Sequence, residues 1–251
     1  MDWQKGALFL EIRLSLGAGE KALAEARYLA QNRVQRLLPS YFLDAVLDLR
    51  LDSFQTVGEN IEQNEERFRR LNDLAERGRK LFSSLSSDLG EARIRYEYPL
   101  YGERGLIRPF IEFEHPDPFV RILGFEPTLR FSGLVVYAKG EYRAYGGQDK
   151  VRLNPALLPK LYDEDMRLVL SPTRCKPEYL RKWGVAAYTR SLDEEPFRER
   201  IGHNPLRTMA RAVFGKNSTD VLIPNDAARK LLAETGNHTL LQEGRILIII
   251  D

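Results

Sequence analysis

The chain has 251 residues, a formal net charge of +2 and a hydrophobic fraction of 43%. This composition is typical of soluble globular proteins. It excludes an intrinsically disordered chain and the strong overall positive field of many nucleic-acid-binding domains. No apolar run approaches the roughly 18 residues that a membrane-spanning helix needs. The only cysteine, Cys175, excludes an intrachain disulfide.

The first part of the chain predicts a module of strand, helices and strand. Apolar and polar residues alternate over 7–16, which predicts a strand with one wet face. The spacing then predicts three helices, over residues 19–38, 42–49 and 59–82. A loop over 83–90 and a second strand over 92–98 follow. Pro39 is expected to end the first helix. The apolar stripe of that helix consists of Leu23, Ala26, Ala30, Val34 and Leu37.

A second module is predicted after the sequence His-Pro-Asp-Pro at residues 115–118, where two prolines forbid regular structure. The domains are therefore expected at 1–115 and 119–251. Strands are predicted over 134–137, 166–170, 185–189, 206–214, 220–223 and 246–250. Helices are predicted over 177–183 and 227–234, and Gly236 is expected to end the second of them. Residues 198–202 are predicted to form a loop. The run at 246–250 is apolar throughout, which is typical of a strand buried on both faces. The fold class is α+β, with a short sheet covered by helices followed by a mixed α/β sheet domain.

One glycine pattern suggests a nucleotide site. Gly17-x-Gly19-x-x-Ala22 follows a strand and opens a helix, and Lys21 lies beside it, as in dinucleotide-binding turns. The chain that follows is helical, whereas such a site needs a second parallel strand with an acidic residue for the ribose. A plain strand–helix turn is therefore favoured. A nucleotide- or phosphate-binding enzyme that uses this turn is the alternative function.

No convincing catalytic set, metal site or cofactor site is found. The acidic turn at Asp163, Glu164 and Asp165 could begin a calcium loop, but no further oxygen ligands follow at the required spacing, so a solvated turn is favoured. The three histidines are too widely separated for a zinc motif. Cys175 lies between two cations that favour a thiolate, but no general base is evident. We therefore predict a protein without catalytic activity, cofactor or metal.

The predicted helix over 59–82 carries the candidate partner surface, which consists of Arg67, Arg69, Arg70 and Arg77. Glutamates interleave with these arginines, so a solvated face with pairs at i,i+4 spacing is the simpler interpretation. Docking of a protein partner is the sharper hypothesis. Nucleic-acid binding is the second alternative function, and it is disfavoured because few aromatic residues for base stacking lie nearby.

A series of short motifs in the second half of the chain carries a family resemblance. In order they are Ser132-Gly133-Leu134-Val135-Val136, Ala138-Lys139-Gly140, Pro159 to Asp165, Gly184-Val185-Ala186-Ala187-Tyr188, Gly202-His203-Asn204-Pro205 and Asp220-Val221-Leu222-Ile223. This series resembles bacterial envelope proteins related to FlgT, the flagellar H-ring assembly protein, and small lipoproteins that share its modules. Met166 departs from the pattern, because a glycine is expected there.

The resemblance implies an exported, non-enzymatic scaffold or assembly protein of the bacterial envelope, with the flagellar apparatus included. Its expected partners are envelope or flagellar proteins, and self-association into a homo-oligomer is an open alternative. No nucleic acid and no transmembrane segment are expected. The residues Met1-Asp2-Trp3 do not resemble the start of an export segment. If such a segment has been trimmed, the resemblance implies a periplasmic or membrane-associated location. Otherwise a cytoplasmic location is expected.

Overall fold

A computed structural model describes residues 1–16, 22–119 and 126–251. The protein is α+β and consists of two modules, as predicted. The first is a small antiparallel sheet covered by helices, and the second is a larger α/β unit with mixed sheets. The division at 1–115 and 119–251 stays a prediction.

The first module is built on a three-stranded antiparallel sheet. Its strands are β1 (Ala7–Ser15), β2 (Arg79–Leu85) and β3 (Glu91–Pro99), in the order β1-β3-β2. The inner face of β1 is buried at Leu8, Leu10, Ile12 and Leu14. The predicted strands over 7–16 and 92–98 are therefore confirmed, because a two-residue period fixes which side of a strand faces the core.

One long helix, α1 (Leu23–Leu47), covers this sheet. The prediction that Pro39 ends the helix is wrong, because Pro39 lies inside it. A buried residue recurs every fourth position along the whole helix, and this stripe continues across the proline: Ala26, Ala30, Val34, Leu38, Phe42 and Val46. The missing amide hydrogen bond is thus outweighed by continuous packing. The stripe contains Leu38 in place of the predicted Leu37, which is 39% exposed.

The prediction of one helix over 59–82 is also wrong. The segment forms α2 (Val57–Ile61), α3 (Glu65–Ala75) and then strand β2, which includes part of the predicted loop over 83–90. The chain leaves α3 at Gly78, where a Cβ atom would lie 2.4 Å from the ring of Tyr98. Pairing of β2 with β3 therefore overrides the helical charge pattern.

The second module contains ten strands and four helices among the described residues. The strands are β4 (Leu134–Tyr137), β5 (Tyr142–Arg143), β6 (Lys150–Val151), β7 (Leu161–Asp163), β8 (Leu168–Leu170), β9 (Ala187–Thr189), β10 (Leu206–Met209), β11 (Ala212–Phe214), β12 (Asp220–Ile223) and β13 (Ile246–Ile249). The helices are α4 (Pro177–Trp183), α5 (Arg198–Ile201), α6 (Asn225–Ala233) and α7 (Thr235–Gln242).

Strand β13 is a central element, as its apolar run predicts. It pairs in parallel with both β4 and β9, in a sheet of order β10-β4-β13-β9. Ile246 and Ile248 face the main core of the module, whereas Leu247 and Ile249 face a smaller cluster with Ile201. A second sheet has the order β11-β12-β7-β8 and mixes parallel and antiparallel pairs, and β5 with β6 forms a small hairpin.

Several smaller predictions for this module need correction. The strand predicted over 206–214 is two strands, β10 and β11, which belong to different sheets. The loop predicted over 198–202 contains α5, and Gly236 lies within α7 instead of ending the preceding helix. The predicted strand over 166–170 starts at Leu168, because Met166 has a φ of +60° in the turn before it. That left-handed conformation explains why a glycine is expected at this position.

The two modules meet along an extended contact. Backbone amides of Leu157 and Leu158 donate to the carbonyls of Arg50 and Leu51, at 3.1 and 2.8 Å. Leu157 itself packs into the core of the first module. The indole of Trp3 lies edge-on to the ring of Tyr188, with 5.6 Å between the ring centroids. The modules are therefore packed against each other in the described part of the chain.

Candidate functional site

Helix α3 carries three of the predicted arginines, Arg67, Arg69 and Arg70, and Arg77 follows its C-terminal end. Leu71, Leu74 and Ala75 are its buried face. The helix is fixed at its start by Asn64, whose side-chain oxygen accepts a hydrogen bond from the Arg67 amide at 3.0 Å. The remaining positions are therefore directed away from the core.

Arg67 is a structural clamp. Its guanidinium donates two hydrogen bonds to the carboxylate of Glu112, at 3.0 and 2.6 Å, and one to Asn60 at 2.8 Å. The hydrogen bonds to Arg67 hold the pKa of Glu112 below its ordinary value, and the same bonds raise the pKa of Arg67. Because its donors are used within the chain, Arg67 joins α3 to the segment that leaves the first module. It is not a free partner contact.

The other three predicted residues differ from Arg67. Arg70 pairs with Glu66 one turn earlier on the helix, in an exposed contact that contributes little to stability. The guanidinium groups of Arg69 and Arg77 make no hydrogen bond or ion pair with any residue that the structure describes. Both are exposed. Arg69 and Arg77 are therefore exposed cations without a charged partner in the described part of the chain.

Arg70 and Arg77 line a cleft at the junction of the modules. The cleft has a volume of about 290 Å³ and lies between α3, the segment 103–111 and α4. Arg108 and Arg181 also line it. We call these four side chains the arginine cleft. Arg67 and Arg69 are not among the residues that line it.

Sequence analysis missed Arg108 and Arg181. They lie far from α3 in the chain, and no local pattern distinguishes them from other arginines. The fold brings them together because the chain after β3 packs directly on α4. The Gly102 amide donates to the Arg181 carbonyl at 2.5 Å, and a Cβ atom at Gly184 would lie 2.3 Å from the Tyr101 ring. This close approach fixes the two sides of the cleft against each other.

The arginine cleft is suited to binding carboxylates or other anions. A guanidinium group stays protonated and presents a planar set of donors that matches a carboxylate in a bidentate pair. Two acidic side chains, Asp73 and Glu103, also line the cleft. Four cationic and two anionic side chains leave the cleft positive.

The remaining predicted sites give less support for a functional role than the arginine cleft does. The glycine turn at residues 17–21 lies outside the described residues. In the acidic turn, Asp163 is buried and its Oδ1 accepts from the backbone amides of Asp165 and Arg167, at 3.0 and 2.8 Å. This carboxylate therefore holds the turn itself. Within the described residues, no group of three or more His, Cys, Asp or Glu side chains is arranged to hold a metal ion.

Cys175 is not an activated thiol. The side chain is fully buried, and this burial raises the pKa of the thiol to about 12. The effect of burial on the pKa therefore exceeds that of the flanking cations. The nearby Arg200 is also buried, and its guanidinium donates to the carbonyls of Trp183, Gly184 and Gly244 at 2.7–2.8 Å. Arg200 is thus a structural link between three backbone segments.

Comparison with known proteins gives two matches that follow the order of the modules. Residues 1–103 match the N-terminal domain of Treponema pallidum Tp0624, and residues 133–251 match the second domain of Tp0624. No curated protein matches the chain. No helix in the described residues is long and apolar enough to cross a membrane. The resemblance to FlgT-related proteins stays a prediction. The chain is therefore similar, in its two successive modules, to the N-terminal and second domains of Treponema pallidum Tp0624.

Proposed function

We propose that this protein is a non-enzymatic scaffold or assembly protein of the bacterial cell envelope, with the flagellar apparatus included, and that it acts through protein–protein contacts. The observation that supports this proposal is the outer side of α3 together with the arginine cleft. Three of the four cleft arginines, Arg77, Arg108 and Arg181, form no ion pair within the described residues. A periplasmic or membrane-associated location is part of the proposal and follows from the family resemblance.

The composition of this surface favours a protein partner. Arginine and aromatic side chains are enriched at protein interfaces, because they combine large contact area with directional hydrogen bonds. On α3, Phe68 is 42% exposed and Arg69 lies beside it in sequence. Phe68 therefore adds exposed apolar surface to the helix that also carries Arg69, whose guanidinium has no ion pair among the described residues.

The test reverses the charge on α3. The double variant Arg69→Glu, Arg70→Glu should lose capture of envelope proteins from a native extract while its melting temperature stays within about 2 °C of wild type, because the Arg70–Glu66 pair is exposed and worth only a few tenths of a kcal/mol. The matched control is Arg143→Glu, Arg190→Glu, which makes the same charge change at exposed positions of the second module. Lower stability with intact capture would show that α3 is simply packed in the monomer.

A further inference from the structure

We propose that the arginine cleft binds an extended acidic segment of the protein partner, with carboxylates of the segment pairing with Arg70, Arg77, Arg108 and Arg181. This inference rests on the proposed function and names the chemistry of the partner. It is independent of Arg69, which lies outside the cleft.

The charges of the cleft favour an anionic ligand. Four guanidinium groups from three separate elements line one space of about 290 Å³. The lining of the cleft contains two carboxylates, Asp73 and Glu103, and Arg70 also pairs with Glu66, so a net positive charge remains. Arg77, Arg108 and Arg181 have no carboxylate within ion-pair distance among the described residues. An incoming carboxylate satisfies these donors in bidentate geometry.

The lining of the cleft favours an acidic peptide over nucleic acid. No aromatic side chain lines it, so bases have no surface on which to stack. Leu74, Pro109 and Ile111 are buried residues that provide an apolar floor. The methylene groups of glutamate side chains can pack on such a floor while their carboxylates stay at the arginines.

The two acidic side chains favour spaced carboxylates over a compact dianion. A phosphate group concentrates its charge at one point. The arginines attract that charge, but Asp73 and Glu103 repel it. An extended peptide places its carboxylates at intervals and offers backbone amides between them. Those amides can donate to Asp73 and Glu103. The volume is at the small end of ligand pockets, which fits a few side chains of a segment instead of a folded domain.

Binding in this place also links the modules. Arg70 and Arg77 belong to or follow α3 in the first module, whereas Arg181 lies on α4 in the second. A segment that pairs with both sides binds only when the modules are packed together. It therefore stabilises their packed arrangement by mass action.

The experiment measures binding of a fluorescein-labelled hexaglutamate peptide to the 251-residue chain by fluorescence anisotropy. Wild type should bind, and binding should weaken as salt increases. The variant Arg77→Gln, Arg108→Gln should bind about tenfold or more weakly, because it removes two charged hydrogen-bonding partners. The control variant Arg143→Gln, Arg190→Gln loses the same charge and should stay within about twofold of wild type. A hexaglutamine peptide should not bind.

Besides failure of the peptide to bind, three results would overturn the inference. The first is equal peptide affinity of wild type and the double variant Arg77→Gln, Arg108→Gln. The variant Arg181→Gln makes the same test on the α4 side of the cleft. Equal loss in the control variant would show general charge attraction. Displacement of the peptide by inorganic phosphate, or by single-stranded DNA of equal charge, at lower concentration than by unlabelled peptide would assign the cleft to a different ligand.

These results are separable from failure of the proposed function. If the peptide does not bind, but Arg69→Glu, Arg70→Glu still loses envelope partners, the partner docks on α3 without an acidic segment in the cleft. The inference is then refuted and the proposed function stands. If neither pair of substitutions at α3 or in the cleft affects partner capture, the proposed function is refuted as well.

Discussion

Replacing Asp220 with asparagine should stabilise the protein at neutral and alkaline pH. Asp220 is fully buried at the start of β12, beside Ser53 of the loop that follows α1. Its Oδ1 accepts from the Lys160 amide at 2.9 Å, whereas its Oδ2 has no hydrogen-bond partner among the described residues. The hydroxyl groups of Ser53 and Thr219 are also buried without a partner of good geometry. A charged carboxylate is therefore poorly accommodated.

The pKa gives the size and sign of the effect. Burial raises the pKa of Asp220 to about 6, against smaller opposing effects of Lys160 and Ser53. An unfolded aspartate has a pKa of about 3.9, so the difference of about 2 units corresponds to about 3 kcal/mol. Because the folded value is the higher one, this contribution to stability is complete below pH 3.9 and is lost as pH rises through about 6.

Asparagine reproduces the protonated state at all pH values. Its oxygen can accept from the Lys160 amide, and its amide group can donate to the nearby Ser53 hydroxyl. Urea denaturation should find Asp220→Asn more stable than wild type by up to about 3 kcal/mol at pH 8, and this advantage should shrink by about 1.4 kcal/mol on moving to pH 5. The exposed control Asp149→Asn should show no such dependence. A stability difference that does not vary with pH would refute the reasoning, because Asp220 would then titrate as a solvated carboxyl.

Three further substitutions test the packing. Ile248→Ala, in the central strand β13, should lower the free energy of unfolding by about 2–5 kcal/mol in urea denaturation, and a loss below 1 kcal/mol would make the strand peripheral. Tyr98→Phe removes a buried hydroxyl that donates to the Ala75 carbonyl at 2.7 Å, and thermal unfolding should show a loss of about 1–3 kcal/mol; an unchanged melting temperature would contradict this. Gly184→Ala should destabilise the junction, because φ is +75° and the Tyr101 ring blocks the Cβ position, so limited proteolysis should be faster than in wild type.

Local periodicity predicted those parts of the fold whose residues are decided by burial. The alternation over 7–16 and the apolar run over 246–250 correspond to β1 and to the central strand β13. Helix α4 also matches the helix predicted over 177–183. In each case one face or both faces of the element pack on a core, so the sequence pattern and the tertiary environment agree.

The wrong predictions come from places where distant contacts override local preference. Strand β2 is exposed along almost all of its length, so its sequence carries no clear two-residue period. It is a strand because β3 pairs with it. Pro39 shows the opposite case, since continuous burial of α1 outweighs a local helix-breaking signal.

The candidate site was predictable only in part, for a related reason. The charge pattern over 59–82 pointed to Arg70 and Arg77, but the cleft is also lined by Arg108 and Arg181, which the packing of the two modules brings there. The same pattern could not separate Arg67, which clamps Glu112, from its neighbours. Which arginines are free depends on the positions of carboxylates distant in sequence.

The most direct test of the central claim, that α3 and the arginine cleft form a partner-binding surface, is site-specific photo-cross-linking in intact cells that carry the protein. A photoreactive residue replaces Arg69 beside the cleft or, as control, Arg143 in the second module, each with and without Arg77→Gln, Arg108→Gln. We expect a discrete protein adduct from position 69 that is strongly reduced by the cleft substitutions, and none from position 143. Equal adducts from both positions, or no adduct from position 69, would contradict the account.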